Sequence, residues 1–464
     1  MIRMTLAEIA TITGGTLVNA GPDATVTGPV EYDTRLLEPG GLFVAFAGER
    51  VDGHDFVAGA VAAGAAGYLG TRDVGQPGVV VAEPLEALAT LASAVVGRLS
   101  ELTVVGLTGS SGKTTTKDYV GQLLSKLGPT VAPAGSLNNE LGFPYTVLKA
   151  TTETRFLVLE MGARAVGHIA YLTGIAHPRI GLVLNVGAAH IGKFGSVEGT
   201  ARAKGELVEG LPAEGLAVLN ADDPLVAAMA SRTQARVVLT GESAAATVRA
   251  ENVTVDERGR AAYTLVTPDG RVPVRLRVAG RHQVANTLAA AAAALEAGLP
   301  VEAVAEALGE VTIKSERRMD VFERPDGVTV IDDSYNANTS STTAALHALA
   351  AMGRERRMVA VLGYMAELGD EEVSGHEEVG RLAAELGVGR LVAVAEAAPA
   401  VLDGAARVPE WKGEAIAAAD QDAAIEAVMG DLRPGDIVLV KASRYRTWKV
   451  ADALRADAAG EVGP

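Results

Sequence analysis

VVGLTGSSGKTTT, residues 104–116, is the stretch from which the rest of the chain can be read. The apolar run over 102–107 predicts a buried strand, the glycines a turn, and the residues from Thr114 onward a helix. Gly109 and Gly112 let the backbone approach a phosphate with no Cβ in the way. A helix N-terminus turns free N–H groups toward an anion. Lys113 is placed to reach the outer phosphates of a nucleotide, and Thr114 to offer its hydroxyl to Mg²⁺. The form is TGxxGKT rather than the general GxxxxGK[ST]: Leu107 stands where that pattern has glycine, and Gly106 comes one position early. A ligand-free glycine turn is the alternative, and the strand before and helix after the GKT end argue against it.

Outward from the loop, residues 99–312 read as one unit. RFLVLE (155–160) and RIGLVLNV (179–186) are apolar throughout, which predicts strands buried on both faces and hence a parallel sheet. Ligands of such sheets bind beyond the carboxyl ends of the strands. Glu160, His190 and the glycine loop all fall at such ends. The polar, glycine-flanked GSLNNELGFPYT (135–146) reads as a binding loop. SVEGTARAKGELVE (196–209) predicts a helix carrying Lys204, which on its own reads as a solvated face with Lys204 near Glu206 and Glu209. Residues 253–278 alternate apolar and polar side chains between turns, an antiparallel meander, and 284–297 forms an alanine-rich helix stopped by Gly298.

Residues 1–98 form a first unit with helices over 5–13, 55–63 and 85–99 and strands over 42–47 and 79–82. Its clusters Asp33-Thr34-Arg35 and Asp52-Gly53-His54-Asp55 sit at turns, where an aspartate cap is as good a reading as a binding role. Residues 313–464 alternate strand and helix, predicting a second, Rossmann-like sheet without a phosphate loop. Its polar clusters DDSYNAN (332–338), GYMAELG (363–369) and KASR (441–444) each follow a strand. The fold class expected is therefore α/β with three domains: an N-terminal α/β domain, a central P-loop parallel sheet and a C-terminal Rossmann-like domain.

Composition narrows the function. A chain of 464 residues accommodates about three domains. A net charge of −16 argues against nucleic acid as a partner. The chain has no cysteine, so disulfides and thiolate chemistry are excluded, which fits a cytoplasmic location. No apolar run is long enough to span a bilayer, and the first residues lack the apolar core of a secretion signal.

TGSSGKTTT (108–116), GSLNNELGFP (135–144), LEMGA (159–163), NVGAAHIGKFGS (185–196), ARAKGEL (201–207) and IDDSYNAN (331–338) together resemble the Mur ligases. These are ATP-dependent amide-forming enzymes of peptidoglycan precursor synthesis, and the resemblance covers essentially the whole chain. IDDSYNAN looks like the branch that adds the dipeptide D-alanyl-D-alanine to UDP-MurNAc-tripeptide. The N-terminal DTR and GLFVAFAGERVDGHDF resemble that branch's UDP-substrate domain.

The resemblance implies that Gly109, Ser110, Ser111, Gly112, Lys113, Thr114 and Thr115 cradle ATP, and that Glu160 and His190 help Thr114 hold Mg²⁺. It implies that Lys204 carries a CO₂-derived carbamate that also serves the metal. Asn286 matches a nucleotide-contacting asparagine; Asp333, Tyr335, Asn336 and Asn338 lie where the third domain touches the nucleotide. An arginine at the entry to the third domain, Arg318 with Arg317 as the alternative, approaches the phosphates. Thr34, Arg35, Asn138 and Asn139 match positions near the UDP-linked substrate. Tyr364 and Ala442 depart from the expected Asp and Gly, and Thr34 replaces the commoner Ser, which bears on the incoming-peptide site rather than on the reaction class. The catalytic set expected is thus Lys113, Glu160, His190, Lys204 and Arg318, in a monomer. Other Mur-type ligases, a folylpolyglutamate synthetase and a P-loop regulatory ATPase are the rival readings.

Overall fold

The structure is a computed structural model that describes residues 1–48, 51–187 and 194–458. Each of the three stretches read from the sequence carries its own main sheet. The central one has, among the described residues, nine strands, and the strand that leads into the glycine loop, Thr103–Thr108, is third from one edge and begins one residue later than the apolar run suggests. That strand pairs in parallel with Phe156–Glu160 on one side and Ile180–Val183 on the other. Leu216–Asn220 and Arg236–Gly241 continue the parallel order outward. The meander, Val248–Val255, Arg260–Thr267 and Gly270–Ala279, is antiparallel within itself as expected, and its first strand extends the same sheet in parallel rather than forming a separate one.

Two glycines allow close approaches here. A Cβ on Gly106 would meet the Met161 Cε at 2.9 Å and Leu207 Cδ1 at 3.2 Å, so its absence lets the helix Val197–Glu209 lie tight on the sheet. Gly112, at φ 77°, turns the chain into the loop helix Lys113–Leu124, which begins one residue before Thr114. The alanine tract within Gln283–Glu296 is buried at every position from Ala289 to Ala294, and small side chains there bring that helix down against the loop helix and the sheet.

The first sheet runs Thr16–Val18, Gly78–Val80, Gly67–Gly70, Leu42–Val44, Val30–Glu31, parallel except for its first pair. The strand Gly67–Gly70 is absent from the sequence reading because glycine flanks it. Asp33 and Asp52 do cap short helical turns, accepting the N–H groups of Arg35 and His54. One continuous core joins this sheet to the central one, with Leu6, Leu42, Leu88 and Leu91 packing in the same cluster as Phe143, Ile169, Leu172 and Leu207. At the seam the Tyr145 hydroxyl donates to both oxygens of the buried Glu31 at 2.9 Å, and Lys149 Nζ donates to Tyr145 at 3.0 Å. Burial pushes the Glu31 carboxyl up, against the lowering effect of those partners.

The third sheet runs Asp320–Glu323, Thr329–Asp332, Ile437–Lys441, Met358–Leu362, Arg390–Val394, Glu414–Ala418, parallel apart from the first pair. Its two edge strands, DVFE and EAIAA, are largely exposed, and the sequence reading misses both. Helices cover both faces, giving two separate cores. No helix among the described residues is long and apolar enough to cross a membrane.

Candidate active site

The glycine loop, the turn after Phe156–Glu160, the helix with Lys204 and the polar cluster of the third sheet meet around a cavity of about 500 Å³. The loop is braced from behind. Asn185 accepts the Ser111 N–H on Oδ1 at 2.9 Å and the Ser110 N–H on its carbonyl at 3.1 Å. Asn286 lies beneath the turn, where a Cβ on Gly112 would come within 2.5 Å of its Oδ1. Lys113 Nζ donates to the Gly109 carbonyl at 2.8 Å. Burial lowers its pKa, the Glu160 charge opposes that, and Arg318 adds to it.

Thr114 is the node of the site. Its hydroxyl donates to Glu160 Oε2 at 2.8 Å and accepts from Arg318 Nη2 at 3.3 Å. Glu160 is buried, and its Oε1 accepts from Ser136 Oγ at 2.7 Å and Asn138 Nδ2 at 2.6 Å. A carboxylate and a hydroxyl side by side, both at the mouth of an anion-binding loop, form a hard oxygen donor set. Among the described residues no cluster of three His, Cys, Asp or Glu exists that would form an all-protein metal cage. Two oxygen ligands next to a phosphate loop suit Mg²⁺ that keeps waters and phosphate oxygens in its shell. His190 lies outside the described residues.

Arg318, not Arg317, reaches the loop. Arg317 faces the other way, with Asp452 at 2.6 Å and its guanidinium 4.8 Å from the Trp448 ring centre. The guanidinium of Arg318 lies 4.3 Å over the Tyr335 ring. Asn338 caps the helix Thr339–Met352 and donates to the Ser110 carbonyl at 3.4 Å, so the third domain touches the loop at a second point. Tyr335, Asn336 and Asn338 line the cavity. Asp333 does not: its carboxylate pairs with the buried Lys441 and accepts the Met319 N–H at 3.1 Å.

Lys204 lines the cavity while only 2% exposed, which removes the solvated-face reading. Burial sets its pKa well below the usual lysine value, and the Lys113 charge lowers it further. Glu206 is engaged elsewhere, accepting the N–H groups of Gly167 at 2.6 Å and Ala170 at 3.0 Å, and Glu209 pairs with Arg232. Asn139 lines the cavity, whereas Gly109 and Thr115 support the loop from outside it. Thr34 and Arg35 lie in the first domain away from this cavity, Arg35 exposed and paired with Asp33 at 2.5 Å. Ser136, Asn185, Arg164 and Trp448 belong to the site or its support and are not singled out in the sequence. Of these, Ser136 carried a signal as part of the polar run at 135–146, and Asn185 as the first residue of NVGAAHIGKFGS. A larger cavity of about 640 Å³ lies behind the interdomain linker and contains none of the loop residues.

Residues 29–95, 107–294 and 317–444 match in turn the Mur ligase family catalytic domain, the Mur ligase middle domain and the Mur ligase glutamate ligase domain. The chain belongs to the Mur ligase family. It is 49% identical to the UDP-N-acetylmuramoyl-tripeptide–D-alanyl-D-alanine ligase of Mycobacterium tuberculosis, with 100% of both chains covered. To the Escherichia coli protein of the same name it is 40% identical, over 86% of this chain and 88% of that one. MurF from Acinetobacter baumannii superposes with a TM-score of 0.87 at 33% identity, covering 98% of this chain and 99% of that one. MurF ligase from Thermotoga maritima in complex with ADP gives 0.80 at 28% identity, covering 94% and 99%.

Proposed function

We propose that this chain is an ATP-dependent ligase that joins D-alanyl-D-alanine to UDP-MurNAc-tripeptide. The observation that carries the reading is the meeting at Thr114, where the GKT loop and Glu160 of one sheet are joined by Arg318 from the segment leading to another. Identity of 49% over the full length to a UDP-N-acetylmuramoyl-tripeptide–D-alanyl-D-alanine ligase supports the choice of substrates.

Amide formation in water is uphill, so the tripeptide carboxylate must first be activated. Its oxygen attacks the γ-phosphorus of ATP, ADP leaves, and an acyl phosphate forms. Phosphoryl transfer depends on in-line positioning and on cations at the phosphate oxygens, and Lys113 and Arg318 supply two of these. Thr114, Glu160 and His190 would hold Mg²⁺, which when bound neutralises further phosphate charge. The dipeptide amine then attacks the acyl carbon through a tetrahedral oxyanion, loses its proton, and expels inorganic phosphate. Asn336, Asn338 and Tyr335 close the cavity from the third-domain side, which keeps water from the acyl phosphate.

Residues 1–98 are assigned to the UDP-linked substrate through Thr34 and Arg35, 99–312 to ATP, and 313–464 to the incoming dipeptide. Asn138 and Asn139 take the acceptor peptide's end of the cavity. Lys204 is assigned a carbamate: a neutral lysine amine adds CO₂ and releases a proton, which replaces a cation beside the metal by anionic oxygens. Its burial beside Lys113 favours the neutral amine that this addition needs. The reaction belongs to the cytoplasm, where both nucleotide substrates are available, and the working unit is a monomer.

The test is incubation with UDP-MurNAc-tripeptide, D-alanyl-D-alanine, ATP and Mg²⁺, read by mass spectrometry of the UDP product. A gain of one dipeptide residue pair together with ADP is expected. ADP release that needs no UDP-linked substrate, or a gain from single amino acids instead, overturns the assignment.

A further inference from the structure

The segment that carries Arg318 runs antiparallel along one face of the loop helix. Thr114, Asp118 and Gln122 are spaced four apart and so share that face. Each holds one point of the segment. Gln122 Oε1 accepts the Thr312 N–H at 3.1 Å and its Nε2 donates to the Thr312 carbonyl at 2.7 Å. Asp118 Oδ2 accepts the backbone N–H groups of Lys314 at 3.0 Å and Ser315 at 2.9 Å. Thr114 receives Arg318 at 3.3 Å.

Asp118 and its neighbour Lys117 are both almost fully buried, 3% exposed each, with Lys117 Nζ 3.2 Å from Asp118 Oδ1. Lys117 in turn donates to the carbonyls of Pro133 and, at 2.7 Å, Gly135. Ser315 Oγ accepts the Gly135 N–H at 2.9 Å, closing the ring. The pair therefore fixes two segments at once: the turn that brings Ser136 and Asn138 to Glu160, and the linker that brings Arg318 to Thr114. Beyond the clamp, Arg317 and Met319 are held at φ 56° and 49°, a left-handed backbone that side chains of this size disfavour. That strain orients Arg318, between them, toward the loop only if the linker register is held from outside.

We infer that Asp118, braced by Lys117, is a positioning residue for phosphoryl transfer: it sets the register of the linker so that Arg318 meets the γ-phosphate. Asp118 touches no reacting atom. The inference rests on the reading of the chain as an ATP-dependent ligase with Arg318 at the phosphates.

The experiment is a double-mutant cycle on steady-state ADP formation, with parent, Asp118→Ala, Arg318→Ala and the double variant. Asp118→Ala is expected to lower kcat on the order of 30-fold, as two hydrogen bonds to a charged acceptor are lost. KM for UDP-MurNAc-tripeptide should stay within about 2-fold. In the Arg318→Ala background the same substitution should cost no more than about 3-fold, because only the support that reaches the Glu160 turn through Lys117 is left to lose. Asp118→Asn, which keeps an acceptor for the linker, should recover most of kcat. Should Asp118→Ala fail to fold, Gln122→Ala removes the outer clamp, and its smaller loss, about 3-fold, should vanish without Arg318. Losses that multiply in full in the double variant, or an unchanged kcat in Asp118→Ala, overturn the inference. A parent that makes no ligated product overturns the functional reading instead, so the two failures are distinct.

Discussion

Replacing Lys441 by methionine tests how the third domain holds the loop that lines the cavity. Lys441 is 2% exposed at the end of the strand Ile437–Lys441. Its Nζ pairs with the Asp333 carboxylate and donates to the Asn336 carbonyl at 3.0 Å. Burial lowers its pKa, and the Asp333 charge opposes that. Methionine matches the volume and removes the charge, leaving the Asp333 carboxylate with the Met319 N–H at 3.1 Å and the Asn336 carbonyl without its ammonium donor. Breaking a buried pair from one side costs about 4 kcal/mol, because the remaining charge is uncompensated. For a unit of this size that corresponds to a melting shift of roughly 10 °C. Both tryptophans of the chain, Trp411 and Trp448, lie in the third domain, so the thermal transition of tryptophan emission reports this domain alone. Adding Asp333→Asn should restore roughly half of the loss, since the amide still accepts the Met319 N–H without a buried charge. A single variant melting within about 2 °C of the parent, or a double variant no more stable than the single, would refute the account.

Three further outcomes follow from the site and its surroundings. His282 is half-buried, and desolvation of its ring pushes its pKa down to about 4. Between pH 6.5 and 4 the unfolded chain binds a proton that the folded one refuses, so stability is undiminished above 6.5 and falls on acidification, by about 3 kcal/mol at the lower end. Urea midpoints at pH 7.5 and 5.0 should differ less in His282→Asn than in the parent, and an equal difference would count against this assignment. Lys113→Ala should cut ADP formation by about 10³-fold while calorimetric affinity for UDP-MurNAc-tripeptide stays nearly intact; equal loss of both contradicts separate sites. Lys204→Ala should be inactive and partly restored by short carboxylic acids, and Lys204→Arg should stay inactive because guanidinium does not form a carbamate. Full activity of Lys204→Arg in CO₂-depleted buffer ends the carbamate assignment.

What could be read in advance follows from where the information lies. The loop, its strand and its helix are encoded within thirteen consecutive residues, each constrained by the same turn, and they stand within one residue of expectation. Glu160 alone reads as a carboxylate capping a neighbouring helix, and only its place with His190 and the GKT loop at the carboxyl ends of the strands points to the site. Lys204 was ambiguous: its helix has three acidic or basic neighbours within five positions, and only the fold shows that Glu206 turns away to the N-terminus of His168–Ala176. Arg317 and Arg318 were indistinguishable because adjacent residues differ only in direction, and that direction is set by the left-handed backbone on either side of Arg318. Asn185 and Lys441 stand within quoted motifs, NVGAAHIGKFGS and KASR, but their roles come from contacts with residues far along the chain, which the motifs do not specify. The edge strand Asp320–Glu323 escaped because charges close both its ends and an edge buries too little to need a longer apolar run, and Glu414–Ala418 because its alanines favour a helix.

The continuous core shared by the first two sheets divides the chain unequally. Counted by sheets there are three parts; counted by what must break for a part to turn, there are two. The first and central sheets share interdigitated leucines, valines and phenylalanine, sealed by the Tyr145–Glu31 bond, so rotating one against the other would open apolar surface to water. Apart from Ala279 of the central sheet and Ile313 of the linker, the cores on both faces of the third sheet are its own, and it meets the loop through hydrogen bonds, which water replaces at little cost. The first two sheets thus form one fixed bench, and the third is fastened to the loop by hydrogen bonds that can be made and unmade.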